Sequence, residues 1–84
     1  MTFGKYLKRI RKEAGLTQKE ISIILGYTSP QFVSNAERDV SFLPIKDLKK
    51  LCKAYKCEYR DIAHKYRAAI THRYFLKKSK ELGI

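Results

Sequence analysis

Acidic residues are scarce in this chain of 84 amino acids: eight Asp+Glu stand against 19 Lys+Arg, for a formal net charge of +11. Charge of that size and sign supplies a general attraction for polyanions. Long apolar runs are missing as well. The longest, Ile21 to Leu25, is interrupted by Ser22 and ends at Gly26, far short of the roughly 20 residues a membrane span requires. No secretory leader is expected either, because Lys5, Lys8, Arg9 and Arg11 break any apolar core near Met1. A soluble protein of the cytoplasm, without a membrane partner, is therefore the expectation. Cysteine is reduced to Cys52 and Cys57. Five apart on a helix the two would not face each other, which disfavours a disulfide. A zinc site with His64 and His72 fails on spacing, since finger-type sites need a tight His pair. Core thiols and no metal are expected.

What the chain has is helical periodicity, uninterrupted by strand alternation, repeats or low-complexity segments. From Thr2 to Ala14 the apolar positions Phe3, Leu7, Ile10 and Ala14 recur at three- and four-residue steps, with Lys5, Lys8, Arg9, Arg11 and Lys12 on the other face. Gly15 closes this helix as a left-handed cap. Thr17 and Glu20 form a capping box that opens a second helix, short because Gly26 follows Leu25, with Ile21, Ile24 and Leu25 inward. Ser29 as N-cap and Pro30 as first residue predict a third helix reaching Arg38, with Val33 and Ala36 on one side and Gln31, Ser34 and Asn35 on the other. After a loop from Asp39 to Leu43, Pro44 opens a fourth helix whose stripe Ile45, Leu48, Leu51, Cys52 and Tyr55 opposes Lys46, Lys49, Lys50, Lys53 and Lys56. A fifth helix begins near Glu58, and Tyr59, Ile62, Ala63, Tyr66, Ala69, Ile70 and Tyr74 carry its spacing toward Lys80, as one helix or two.

The second and third helices, joined by a Gly-containing turn, have the form of a helix-turn-helix unit. The outward amides of Gln31 and Asn35 lie four apart on one face, and such side chains can bond N6 and N7 of adenine in a major groove. Free backbone amides at the Thr17 and Ser29 helix starts suit phosphates. Phe32 is expected at the core boundary, with contact to a thymine methyl as its other reading.

On these residues the chain resembles the Cro and repressor type of helix-turn-helix proteins, the XRE-like family, from Phe3 to Ile62. The resemblance is carried by Leu7 through Arg11, by Gly15-Leu16-Thr17-Gln18-Lys19-Glu20-Ile21, and by Gly26-Tyr27, Ser29, Val33, Ser34 and Glu37-Arg38, with Pro44, Leu48, Leu51 and Ile62 behind them. It implies an all-α, compact five-helix lambda-repressor-like domain over residues 1–62. It further implies base contacts from Pro30, Gln31, Ser34 and Asn35. Gln18 would anchor a phosphate and buttress the recognition helix, with Thr17, Lys19, Ser29 and Arg38 also on phosphates. Three departures stand out: a turn after Gly26 one residue longer than the commonest form, Pro30 where a base-reading polar residue is common, and Asp39 where Gly is usual.

Residues 63–84 form a basic amphipathic extension, with Lys65, Arg67, Arg73, Lys77, Lys78 and Lys80 beside Tyr66, Tyr74 and Phe75. It is expected to be an additional helix that packs on the domain and dimerises it; binding to an anionic surface is the other use. The function that follows is a sequence-specific regulator of double-stranded DNA, a repressor at an operator, acting as a homodimer. An antitoxin-like protein-interaction module, holding a protein partner and binding DNA secondarily, is the alternative. No catalytic pair, cofactor loop or metal cluster is recognisable; His64 and His72 read as surface or interface residues.

Overall fold

A computed structural model describes residues 2–83, the side chains of Phe75 and Ser79 apart. Five helices follow one another: α1 Phe3–Glu13, α2 Gln18–Leu25, α3 Gln31–Glu37, α4 Ile45–Tyr55 and α5 Tyr59–Leu82. The boundaries follow local chemistry. Thr2 caps α1 by accepting from the Lys5 amide at 3.2 Å. At its other end the amides of Gly15 and Leu16 return to the carbonyls of Lys12 and Arg11, the pairing of a Schellman motif, with Gly15 at φ +74. Gly26, at φ +85, turns the chain out of α2 where a Cβ would be strained. The third helix starts one residue later than expected. Pro30 itself holds helical dihedrals as its cap, and Ser29 Oγ only reaches the Gln31 amide at 3.4 Å.

The core gathers Leu7, Ile21, Leu25, Val33, Leu48, Leu51 and Ile62 from all five helices, with Leu43 from the loop before α4. Gly4 lets α1 approach α3 closely: a Cβ there would stand 2.5 Å from the Glu37 carbonyl oxygen. Three apolar residues expected inside lie outside. Ala14 is exposed because α1 ends before it, and Ile24 and Ile45 are 44% and 61% exposed. Each sits at the edge of its stripe, beyond the reach of the next helix. In the other direction Arg11, placed on the polar face by periodicity, is buried, as is Asp47. Asp47 accepts from the Tyr27 hydroxyl; burial first, then this bond, pushes Tyr27 up to about 12.

The cysteine geometry also differs from expectation. Lys56 adopts a left-handed conformation after α4, so Cys57 folds back and the two sulfurs stand 3.8 Å apart as free thiols. Burial pushes Cys52 up to about 12.

The extension is the greater part of α5, which runs unbroken from Tyr59 to Leu82, so the position 62/63 falls within a continuous helix. Tyr66 ties it to the body through a 2.8 Å bond to the Leu43 carbonyl. Beyond Arg73 it projects: Tyr74, Leu76 and Leu82 are 63%, 53% and 71% exposed. The radius of gyration, 13.5 Å, exceeds the about 12 Å of a compact chain of this length for that reason. No helix among the described residues is long and apolar enough to cross a membrane.

Candidate nucleic-acid interface

The outer face of α3 is defined by what anchors its inner face. Val33 and Ala36 point into the core, and Glu37, one residue on, is buried with them. Its carboxylate accepts from Arg11 Nε at 2.7 Å, Arg11 Nη2 at 3.1 Å and Gln18 Nε2 at 2.9 Å. Arg11 Nη1 donates in turn to the Leu16 carbonyl at 2.8 Å. One buried carboxylate thus joins α1, the α1–α2 turn, α2 and α3. The hydrogen bonds it donates to Glu37 hold the Arg11 guanidinium above its ordinary value. A helix of seven residues is too short to be stable alone, and this junction fixes how it is presented.

With the inner face fixed, α3 turns its amides outward. Gln31 is exposed and Asn35 half-buried; Gln31 Nε2 donates to Asn35 Oδ1 at 2.8 Å, and Arg38 Nη2 donates to the same oxygen at 2.7 Å. The structure therefore brings Gln31, Asn35 and Arg38 into one set, with Arg38 beside the amides. Asn35 Nδ2 and Gln31 Oε1, a donor and an acceptor, have no hydrogen-bond partner among the described residues. Pro30 and Ser29 are exposed at the head of the helix and Ser34 is half-buried beside Asn35. Phe32 is 37% exposed and stacks on Tyr27, ring centroids 4.5 Å apart, so it braces the turn.

At the start of α2 the capping box is complete. Thr17 Oγ1 accepts from the Glu20 amide at 3.1 Å and Glu20 Oε1 from the Thr17 amide at 3.0 Å. Those bonds, the backbone one foremost, hold the Glu20 carboxyl below its usual range. They also correct one expectation: the Thr17 amide is engaged, so the amides left over by helix geometry are those of Gln18 and Lys19. Lys19 is exposed beside them, whereas the Gln18 amide group is committed to Glu37. Asp39, expected to bring negative charge near a phosphate path, is turned the other way. At φ +61 it ends α3, and its Oδ1 accepts from the Gly4 amide at 2.9 Å.

Sequence reasoning missed Arg11, Asp39 and Tyr27 as the supports of this surface. The charged pair carries one available signal: Arg11 and Glu37 fall within the stretches quoted for the resemblance, yet periodicity alone puts Arg11 on the wet side. His64 and His72 are exposed on α5, and no three metal-ligating side chains cluster among the described residues.

A sequence model of the family described as helix-turn-helix matches residues 7–62, a span that begins in α1, ends in the first turn of α5 and contains Arg11, Thr17, Gln18, Tyr27, all of α3 and Asp39. No curated protein matches the chain.

Proposed function

The chain belongs to the helix-turn-helix family, of the Cro and repressor type, and from that premise we propose a sequence-specific regulator of duplex DNA that represses by occupying an operator. The observation that carries this is the Gln31, Asn35 and Arg38 set, directed outward on a helix whose other side is locked by Glu37. In this reading α3 enters the major groove. Gln31 and Asn35 read base edges, Pro30 and Ser34 lie against neighbouring bases, and Lys19, Ser29 and Arg38 track phosphates together with the Thr17 hydroxyl and the backbone amide of Gln18, whose side chain stays on Glu37. Two copies pair through the exposed Ile70 and Tyr74 of α5, placing two recognition helices about 34 Å apart on one face of the duplex.

Selection from random duplexes followed by gel-shift titration tests it. A two-fold symmetric site is expected. Gln31→Ala and Asn35→Ala then each lose about 1–3 kcal/mol of discrimination at particular base pairs. Lys19→Ala weakens all sequences alike. If each subunit neutralises about four phosphates, log affinity falls with log salt at a slope of about −3.6, doubled for a dimer. Equal losses on every sequence for the two amide variants would reduce the surface to a non-specific one and end the operator reading.

A further inference from the structure

A groove of ≈ 900 Å³, open to solvent, runs between the first turns of α1, the loop before α4 and the middle of α5. Its floor is apolar: Phe3 and Phe42 both meet Tyr66 edge to face, at 5.5 and 5.8 Å between centroids, and Ala69 and Leu76 extend the floor along α5. Its rim is cationic, with Lys5 and Arg9 on α1 and Lys65 and Arg73 on α5. Lys65 Nζ lies 5.1 Å from the Tyr6 ring centre, and the Arg73 guanidinium 5.2 Å from that of Phe42. Arg9 pairs with Glu13 at 3.6 Å; Lys5, Lys65 and Arg73 have no ion pair among the described residues. The one carboxylate at the rim, Asp39, is hydrogen-bonded to Gly4.

Cations poised over ring faces beside an uncovered apolar floor ask for an occupant that is both apolar and negative. The open shape argues against a small ligand, whose sites bury about 70–90% of it. A second copy of this chain, at +11, would set like charges against the rim. A duplex would satisfy the cations and leave the floor without a partner. We propose that this groove docks an acidic amphipathic segment of a partner protein, its apolar side chains laid on Phe42, Ala69 and Leu76 and its carboxylates against Lys5, Lys65 and Arg73. At about 100° per residue, Ala69, His72 and Leu76 face a different side of α5 from Ile70 and Tyr74; Phe42, Arg73 and Leu76 also border the surface that holds those two, so the groove adjoins the pairing face, while no residue of α3 lines it.

The probe is a fluorescent synthetic helix of about 15 residues with Leu at helical spacing and Glu elsewhere, titrated into the full chain by anisotropy. A scrambled-order peptide and a Lys-for-Glu peptide are the controls. The acidic amphipathic peptide is expected to bind, more weakly as salt rises, and to bind about tenfold or more weakly to the Lys65→Glu, Arg73→Glu double variant. In the unaltered protein, amide shifts on adding peptide are expected at Phe42, Ala69 and Leu76, a readout that does not depend on the variant folding. No binding, equal binding of the scrambled peptide, or shifts confined to Gln31–Arg38 would overturn the proposal. So would a double variant that loses duplex affinity as much as peptide affinity, because the groove would then belong to the nucleic-acid surface, or a Leu76→Glu variant that converts a dimer to monomers, because a second copy would then cover it. Retained operator binding without peptide binding removes the groove proposal alone.

Discussion

The two halves of α5 live in different surroundings. At Ile62 the helix is enclosed, 0% exposed, whereas at Leu82 the side chain is 71% exposed. The body that surrounds Ile62 is held by particular partners: Glu37 with Arg11 and Gln18, Tyr27 with Asp47, Tyr66 with the Leu43 carbonyl. No buried polar side-chain atom among the described residues lacks a hydrogen bond. The projecting half is held by its own backbone bonds and by surface pairs such as Lys78 with Glu81 at 3.4 Å, which contribute little in water. Within one continuous helix, then, sequence specifies a unique packing in one half and leaves a surface in the other. The difference lies in whether apolar and charged groups find complements inside the chain.

Breaking the tightest complement should have the largest effect. Glu37→Ala leaves the Arg11 guanidinium buried without its carboxylate, and urea titration should show a loss of about 3–5 kcal/mol, enough to unfold much of a small domain. Replacing both partners, as Arg11→Met with Glu37→Leu, should restore most of that stability, because two desolvated charges are then removed together. If the single variant lost under about 1 kcal/mol, the pair would behave as a surface bridge and α3 would need another anchor.

Tyr27→Phe is next. It leaves the Asp47 carboxylate, 1% exposed, without the hydroxyl that donates to it, at a cost of about 1–3 kcal/mol. The pH dependence follows from the raised Tyr27 pKa: the folded state favours the protonated phenol. That stabilisation is complete below pH 10 and is lost as pH rises through about 12. Denaturation midpoints measured between those values should therefore fall more steeply for the unaltered protein than for Tyr27→Phe.

These two cases also show which features could be read from sequence. Thr17, Glu20, Gly15 and Gly26 act on residues within a turn of themselves, so their chemistry is legible and the helix ends fall where they should. The outward amides of α3 are legible too, since Val33 and Ala36 fix the opposite side. Arg11 and Glu37 lie 26 residues apart and Tyr27 and Asp47 lie 20 apart; an isolated charged residue on a helical wheel carries no mark of a distant partner. Ile24 and Ile45 fail for the complementary reason, as a wheel shows a stripe but not how far the neighbouring helix reaches. The approach of Cys57 to Cys52 is not legible, because a left-handed Lys56 has no sequence signature of the kind glycine provides.

A smaller effect tests the locally encoded part of the body. Thr17→Ala removes one side of the capping box and should cost about 1 kcal/mol. The depressed Glu20 pKa stabilises the fold above the unfolded value of 4.5, and that contribution is lost as pH falls through the folded value. Because the Thr17 backbone bond is the main cause, the variant should keep most of this acid dependence while its overall stability drops. Glu20→Gln should abolish it.

The smallest stability effect belongs to the projecting half. Leu82→Ala removes a side chain already 71% in water, so little burial is lost and alanine is an equal or better helix former; the unfolding midpoint should move by less than about 0.5 kcal/mol. Tyr74→Ala, at 63% exposure, should behave similarly in dilute solution. The same Tyr74 variant should nonetheless weaken self-association in sedimentation equilibrium if α5 pairs two copies, because a residue that is idle in the monomer is then buried by the second chain. A large monomer destabilisation from either change would mean that the end of α5 folds back on the body, and the contrast between the two halves of the helix would disappear.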